Sequence, residues 1–188
     1  MKNNEDRVLP IRDKILNAAE KLFYNDGIQT VGIDKIIKEA GVAMNTLYRY
    51  FPSKDILVKE YLKNRDQRWR KWFNSHVVPG ASLGENISHL FDALNDWFNE
   101  ETFRGCAFIN VAGEVGDSKP DIFEISRSHK EDLYRDILAL CYAAEVKEAE
   151  KLAKQVSLLM EGAMVRAHLN NDKDAAIMAK EIAMTLIG

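Results

Sequence analysis

Apolar residues recur along almost the whole chain at intervals of three and four, the spacing that keeps side chains on one side of an α-helix. Ile11, Ile15, Ala18, Leu22 and Phe23 form the first stripe. Pro10 stands at its start, where the missing N–H does no harm, and Asp26-Gly27 ends it, glycine supplying a left-handed cap. Ile33, Ile36, Ile37 and Ala40 make a second, short stripe closed by Gly41. A third helix over 44–51 stops at Pro52, because the residue before proline is pushed out of the α region. Ser53 caps a long fourth helix reaching about residue 73, with Ile56, Leu57, Tyr61, Leu62, Trp69, Trp72 and Phe73 as its apolar set.

Past the loop "VVPGAS" (77–82), Ser82 and Glu85 form a capping box ahead of Leu83, Ile87, Leu90, Phe91, Leu94, Trp97 and Phe98. A short helix follows across 106–115. Pro120 opens another reaching about residue 143, with Ile122, Phe123, Leu133, Ile137, Leu138 and Leu140 as its apolar positions. Two last helices span about 147–169 and 173–187, with Asp172 as a candidate N-cap between them. No strand pair, internal repeat or low-complexity segment interrupts the pattern. The chain reads as all-α, with about nine helices.

The third helix, in "GVAMNTLYRYF", is too short to be stable by itself. On a helical wheel Leu47 and Phe51 share one arc, flanked by Ala43 and Met44. Asn45 and Arg49 lie opposite, with Thr46 and Tyr48 on the shoulders. The apolar arc is satisfied only by docking on the first two helices, which leaves the polar face free. Two helices joined by a tight Gly-containing turn form a helix-turn-helix, whose second helix enters the DNA major groove. The outward residue types suit a groove contact. Asn pairs with adenine, Arg with guanine, Thr with a base edge, and Tyr hydroxyls with phosphate.

The stretch "GIDKIIKEAGVAMNTLYRYFPSKDILVKEYL" (32–62) resembles the DNA-binding signature of tetracycline-repressor (TetR) family regulators. The matching positions are Ala40, Gly41, Val42, Thr46, Leu47, Tyr48, Tyr50, Phe51, Lys54 and Leu57. The resemblance implies an N-terminal DNA-binding domain (1–53), a connecting helix (54–75) and a larger C-terminal helical ligand-binding and dimerisation domain (76–188). It places Gly32, Ile33, Ala43, Met44, Asn45, Thr46, Tyr48, Arg49, Tyr50 and Lys54 at the DNA. Gly32 and Ala43 depart from the family pattern, which has hydroxyl-bearing caps there.

Composition fits a globular protein, 46% hydrophobic and 29% charged. The net charge of −3 argues against nucleic acid, but it is unevenly spread. Residues 1–60 carry 10 basic and 9 acidic groups, residues 61–188 carry 16 and 20, and residues 54–71 carry 7 and 3. That local excess is what a DNA contact needs, although a solvated helix face looks the same. Cys106 and Cys141 give neither metal spacing nor a disulfide framework. "MKNNEDRVLP" has no apolar segment of a signal peptide, and no uncharged apolar run is long enough for a membrane span; a cytoplasmic location is the default expectation.

No catalytic or phosphate-binding motif is present, and His76, His89, His129 and His168 have no metal-ligand spacing, so neither catalytic residues nor a cofactor are expected. Aromatics concentrate between 69 and 108. Trp69, Trp72, Phe73, Phe91, Trp97 and Phe108, with Met160 and Met164, are candidate walls of an effector cavity; their commoner use is in a core. "RGCAFINVAGEVGD" (104–117) resembles the segment that runs past that cavity, with Glu114 as a partner for the ligand. The small-residue stripes Val156, Leu159, Met160, Ala163, Met164, Ala167 and Ala175, Ala176, Ala179, Ile182, Ala183, Leu186 suit either the monomer's own packing or a homodimer interface. The reading is a homodimeric repressor that binds an operator and is released by a small-molecule effector. Its rivals are a DNA-binding dimer without an effector and an all-α enzyme.

Overall fold

The computed structural model describes residues 10–188, so the reading of residues 1–9 as lacking a signal peptide lies outside it. Among the described residues there are nine α-helices and no strand: α1 Ile11–Asp26, α2 Ile33–Ala40, α3 Met44–Tyr50, α4 Lys54–His76, α5 Leu83–Phe98, α6 Ala107–Val115, α7 Pro120–Ala143, α8 Ala149–Leu169 and α9 Ala175–Ile187. A single 3-10 turn, Gly116–Ser118, joins α6 to α7.

The punctuation residues set these boundaries. Gly41 is left-handed (φ 64°, ψ 39°), and the Val42 N–H closes the end of α2 by reaching the Ile37 carbonyl at 3.1 Å. Ser53 caps α4 by accepting from the Ile56 N–H at 3.2 Å. Ser82 and Glu85 exchange both bonds of a capping box at the start of α5. Two expectations need correction. Asp172 does not cap α9; Asp174 holds that position with no side-chain bond, and Asp172 instead accepts from Arg166 at 3.0 Å. Gly27 is not in the left-handed helical region but at φ 82°, ψ 153°, a backbone state only glycine adopts readily.

α1, α2 and the start of α4 pack around α3, and together they form the head of the molecule. Leu47 is fully buried and Phe51 nearly so, both packed in a cluster with Ile15, Ala19, Ile36, Leu57 and Val58. Arg12 closes this corner, with its guanidinium 5.3 Å from the Phe51 ring centre and 2.6 Å from the Glu60 carboxylate. Ala43 and Met44 do not join that apolar arc; both face outward, as do Ile11, Ile56 and Phe123.

In the rest of the chain α5 packs on α9, α7 on α6 and α8, and α8 on α9, while α4 reaches α1, α5 and α7. The α8 and α9 stripes mostly resolve as internal packing. Val156, Met160, Ala163, Met164 and Ala167, with Ala175, Ala176, Ala179 and Ala183, are buried within this chain, while Ile182 and Leu186 remain exposed. Small side chains let helices approach closely, and here the neighbours are the chain's own.

Leu47→Ala should lower unfolding free energy by about 2–5 kcal/mol in a urea titration, whereas Met44→Ala should change it by less than about 0.5 kcal/mol. Similar losses in both would mean that α3 is seated on the wrong face.

Candidate functional site

Two surfaces stand out. The first is the outward side of α3. Ala43, Met44, Asn45, Tyr48, Arg49 and Tyr50 are all exposed there, Thr46 and Lys54 are half-exposed, and Gly32 is exposed at the start of α2. Arg49 lies against the Tyr50 ring, 5.3 Å from its centre. No side chain caps α2 or α3 at its N-terminus, consistent with Gly32 and Ala43 lacking a side-chain oxygen. Ile33 is the exception in this set: it is partly buried and packs against the core, because it belongs to the inner stripe of α2. Burial and the nearby Lys119 ammonium hold the Lys54 pKa below its ordinary value.

The basic run 54–71 is not an open positive surface. Lys59 reaches Asp121 at 2.8 Å and Lys63 reaches Glu60 at 3.2 Å. Arg65 and Arg68 share Glu20, and Arg70 sits among Asp66, Asp132 and Asp136. These charges mainly tie α4 to α1 and α7. Sequence alone places the cations on α4 but not the carboxylates that neutralise them.

The second feature is a cavity of about 500 Å3 between α4, α5, α6, α7 and α8. Trp69, Trp72, Trp97, Phe108 and Met164 line it, as expected from the sequence. Phe73, Phe91 and Met160 do not; all three are buried in the core, since a helix that offers one aromatic to a cavity presents the next turn to its neighbours. Trp69 is the hub, its ring centre 4.5 Å from Trp72, 5.8 Å from Trp97 and 5.9 Å from His129.

Residues 15–61 match the family model described as "Bacterial regulatory proteins, tetR family". The chain is 25% identical to a TetR-family transcriptional regulator from Streptomyces coelicolor, whose crystal structure it superposes on with a TM-score of 0.86 over 94% of this chain and 95% of that one. Residues 15–61 are a DNA-binding domain of the TetR family. The chain is a DNA-binding transcriptional regulator. Over most of its length it is similar to the HTH-type transcriptional regulator YjdC of Escherichia coli, 22% identical over 94% of this chain and 93% of the relative. Over 56 residues it is 41% identical to an uncharacterized HTH-type transcriptional regulator of Mycobacterium tuberculosis, covering 30% of this chain and 28% of that one.

The cavity contains polar residues that the sequence pattern did not point to: Glu20, Arg65, Arg68, His76, Asp96, Glu100, His129 and Lys130. A signal existed for one of them. Ile122, Ser126, His129, Leu133 and Ile137 follow helical spacing, so His129 stands in a buried stripe. Its Nδ1–H donates to Asp66 at 2.7 Å, and its ring stacks on Phe108 with 3.6 Å between centres. Burial pushes the His129 pKa down to about 4, against the opposing pull of Asp66. At neutral pH the contact is therefore a hydrogen bond from a neutral imidazole rather than an ion pair.

Glu114 must be reassigned. It lies outside the cavity, at the far end of α6, and grips the turn between α1 and α2. Its carboxylate accepts from the Ile28 N–H at 3.1 Å and the Gln29 N–H at 2.8 Å, and the Gln29 side chain bonds the Glu114 carbonyl. The carboxylate occupies the space a side chain on Gly27 would need, with Oε2 3.0 Å from the position of a Cβ. At the other end of the segment, Tyr24 donates to the Gly105 carbonyl at 2.8 Å and accepts from the Arg104 N–H at 2.9 Å. The segment 104–114 is thus pinned to α1 at one end and to the α1–α2 turn at the other, with the cavity residue Phe108 between the pins.

The His129 shift fixes a sign for pH dependence. Between the ordinary value of 6.5 and about 4 the unfolded chain binds a proton that the folded chain does not, so stability falls as pH drops through that window and levels off below it. His129→Gln removes this contribution. Urea titrations should show the wild type losing stability more steeply than the variant, by up to about 1.4 kcal/mol per pH unit. Parallel slopes would contradict the buried neutral imidazole.

Proposed function

We propose that the protein is a homodimeric repressor whose operator binding is relieved by a small molecule in the aromatic cavity. The reading divides the chain into a DNA head (1–53), a connecting helix (54–75) and an effector and dimerisation part (76–188). The observation that carries it is the double pinning of 104–114 to the head, by Tyr24 at one end and Glu114 at the other, while Phe108 walls the cavity. A ligand pushing on Phe108 moves a segment that is hydrogen-bonded to α1 and to the turn that leads into α2. By linkage, the ligand weakens DNA binding only as far as it prefers the displaced arrangement, and DNA weakens ligand binding by the same factor.

In this reading Asn45 and Arg49 meet base edges, Met44 and Thr46 flank them, and Tyr48, Tyr50 and Lys54 hold phosphates. Gly32 and Ala43 bring backbone close to the duplex. Ile33 supports the face from behind. Dimerisation is supported by exposed apolar side chains on α8 and α9: Leu158 and Leu169 are 72% and 74% exposed, Met178 is 61% exposed, and Ile182 continues the same side of α9. Leu158, Gly162, Met178 and Ile182 line one groove between the two helices. Such a patch on an isolated chain fits a two-fold partner, which would set two recognition helices about 34–36 Å apart, one DNA turn.

A gel-shift titration against the DNA flanking the protein's own gene tests this reading. Asn45→Ala should cost about 1–3 kcal/mol and relax discrimination between sequences. Lys54→Ala should weaken binding to all sequences and reduce the salt slope by about one. Unchanged affinity in both variants would refute this assignment of the DNA face.

A further inference from the structure

The cavity lining carries as many cations (Arg65, Arg68 and Lys130) as carboxylates (Glu20, Asp96 and Glu100), but they are not paired alike. Arg65 and Arg68 are both held by Glu20, and Arg65 also lies 3.8 Å from the centre of the Tyr24 ring. Lys130 has a Glu161 carboxylate oxygen 3.6 Å away. Asp96 and Glu100 differ. They sit one turn apart on α5 and just past its end, both exposed at the cavity, and neither has a cationic partner among the described residues. Glu100 accepts the Thr102 hydroxyl at 3.3 Å.

Trp97 lies between these two carboxylates in sequence, with Trp69 and Trp72 facing it from α4. All three indoles are half-buried, so part of each stays open. An indole face is electron-rich and attracts cations more strongly than any other side-chain ring. Carboxylates beside an apolar wall are less screened than in open water. Both features draw positive charge and repel negative charge. Two buried donors, Trp69 Nε1 and Lys130 Nζ, lack hydrogen-bond partners, but both atoms are sealed from solvent, so an acceptor in the cavity does not meet them unless the wall moves. The cavity volume of about 500 Å3 falls within the range of small-molecule sites.

We propose that the cavity takes a flat aromatic cation, a protonated or quaternary arylalkylamine, with its rings among Trp69, Trp72 and Trp97 and its charge toward Asp96 and Glu100. The proposal rests on the reading of this cavity as the effector site and names the chemical class of the effector.

Equilibrium dialysis of the full chain against three probes of similar shape tests it: naphthylmethyl-trimethylammonium, naphthylmethanol and naphthoate. The ammonium probe should bind at least about tenfold more tightly than the alcohol, and the carboxylate most weakly. The double variant Asp96→Asn/Glu100→Gln should lose about tenfold for the ammonium probe and less than about twofold for the alcohol. Both side chains are exposed, so the variant should fold as the wild type does. Tightest binding of naphthoate, an ammonium affinity unaffected by the double variant, or no binding of the ammonium probe would overturn the proposal. A gel shift separates the two readings. If the ammonium probe binds through the two carboxylates yet leaves DNA affinity unchanged, the ligand class stands and the effector reading fails. If naphthoate alone releases DNA, the effector reading stands and the ligand class fails.

Discussion

A seven-residue helix has no stability of its own, and this regulator places one where its outward residues matter most. The burial of Leu47 and Phe51 under α1, α2 and the start of α4 therefore sustains the whole head. It fixes the rotation of α3, and the rotation decides which side chains face away. The two positions are one turn apart, so they define a single arc; asparagine, arginine and both tyrosines are left outside because that arc has no room for them. Arg12, against the Phe51 ring and bonded to Glu60, ties the same corner to α4.

The head is then joined to the rest of the chain along two routes of different character. Along α4 the links are polar: Lys59 to Asp121, Asp66 to His129, and Arg70 to the acidic residues of α7. Along 104–114 they are hydrogen bonds to backbone groups, held by the Tyr24 hydroxyl at one end and the Glu114 carboxylate at the other. His129 belongs to both routes, since it bonds Asp66 of α4 and stacks on Phe108 of α6. In the proposed reading, a cavity occupant touching that stack meets both routes at once.

The helices were legible because their ends are written in punctuation that acts locally. Gly41, Pro52, Ser53, the Ser82–Glu85 pair and Pro120 stop or start helices through their own backbone chemistry, with little help from tertiary contacts. The outward face of α3 was legible for a similar reason: so short a helix has one way to bury its two large apolar residues. The cavity was only half legible. Trp69 and Trp97 share their helical phase with side chains that are wholly buried, so periodicity does not separate a wall from a core, and Phe73, Phe91 and Met160 fell on the wrong side. Glu114 reads as a ligand partner because its segment resembles one that runs past the cavity, and only the return of the chain to the α1–α2 turn gives it its actual partners, the Ile28 and Gln29 N–H groups. The alanines of α8 and α9 illustrate the same ambiguity, because a small side chain permits close approach without saying to which helix.

The central claim is that the surface held outward by Leu47 and Phe51 is the one that meets the duplex. Hydrogen–deuterium exchange of the full chain, with and without the DNA flanking its own gene, tests it most directly. The account predicts slowed exchange across 43–50 and the first turn of α4, with the outer side of α8 and α9 unaffected by DNA. Protection that spares 43–50 and falls elsewhere would contradict it.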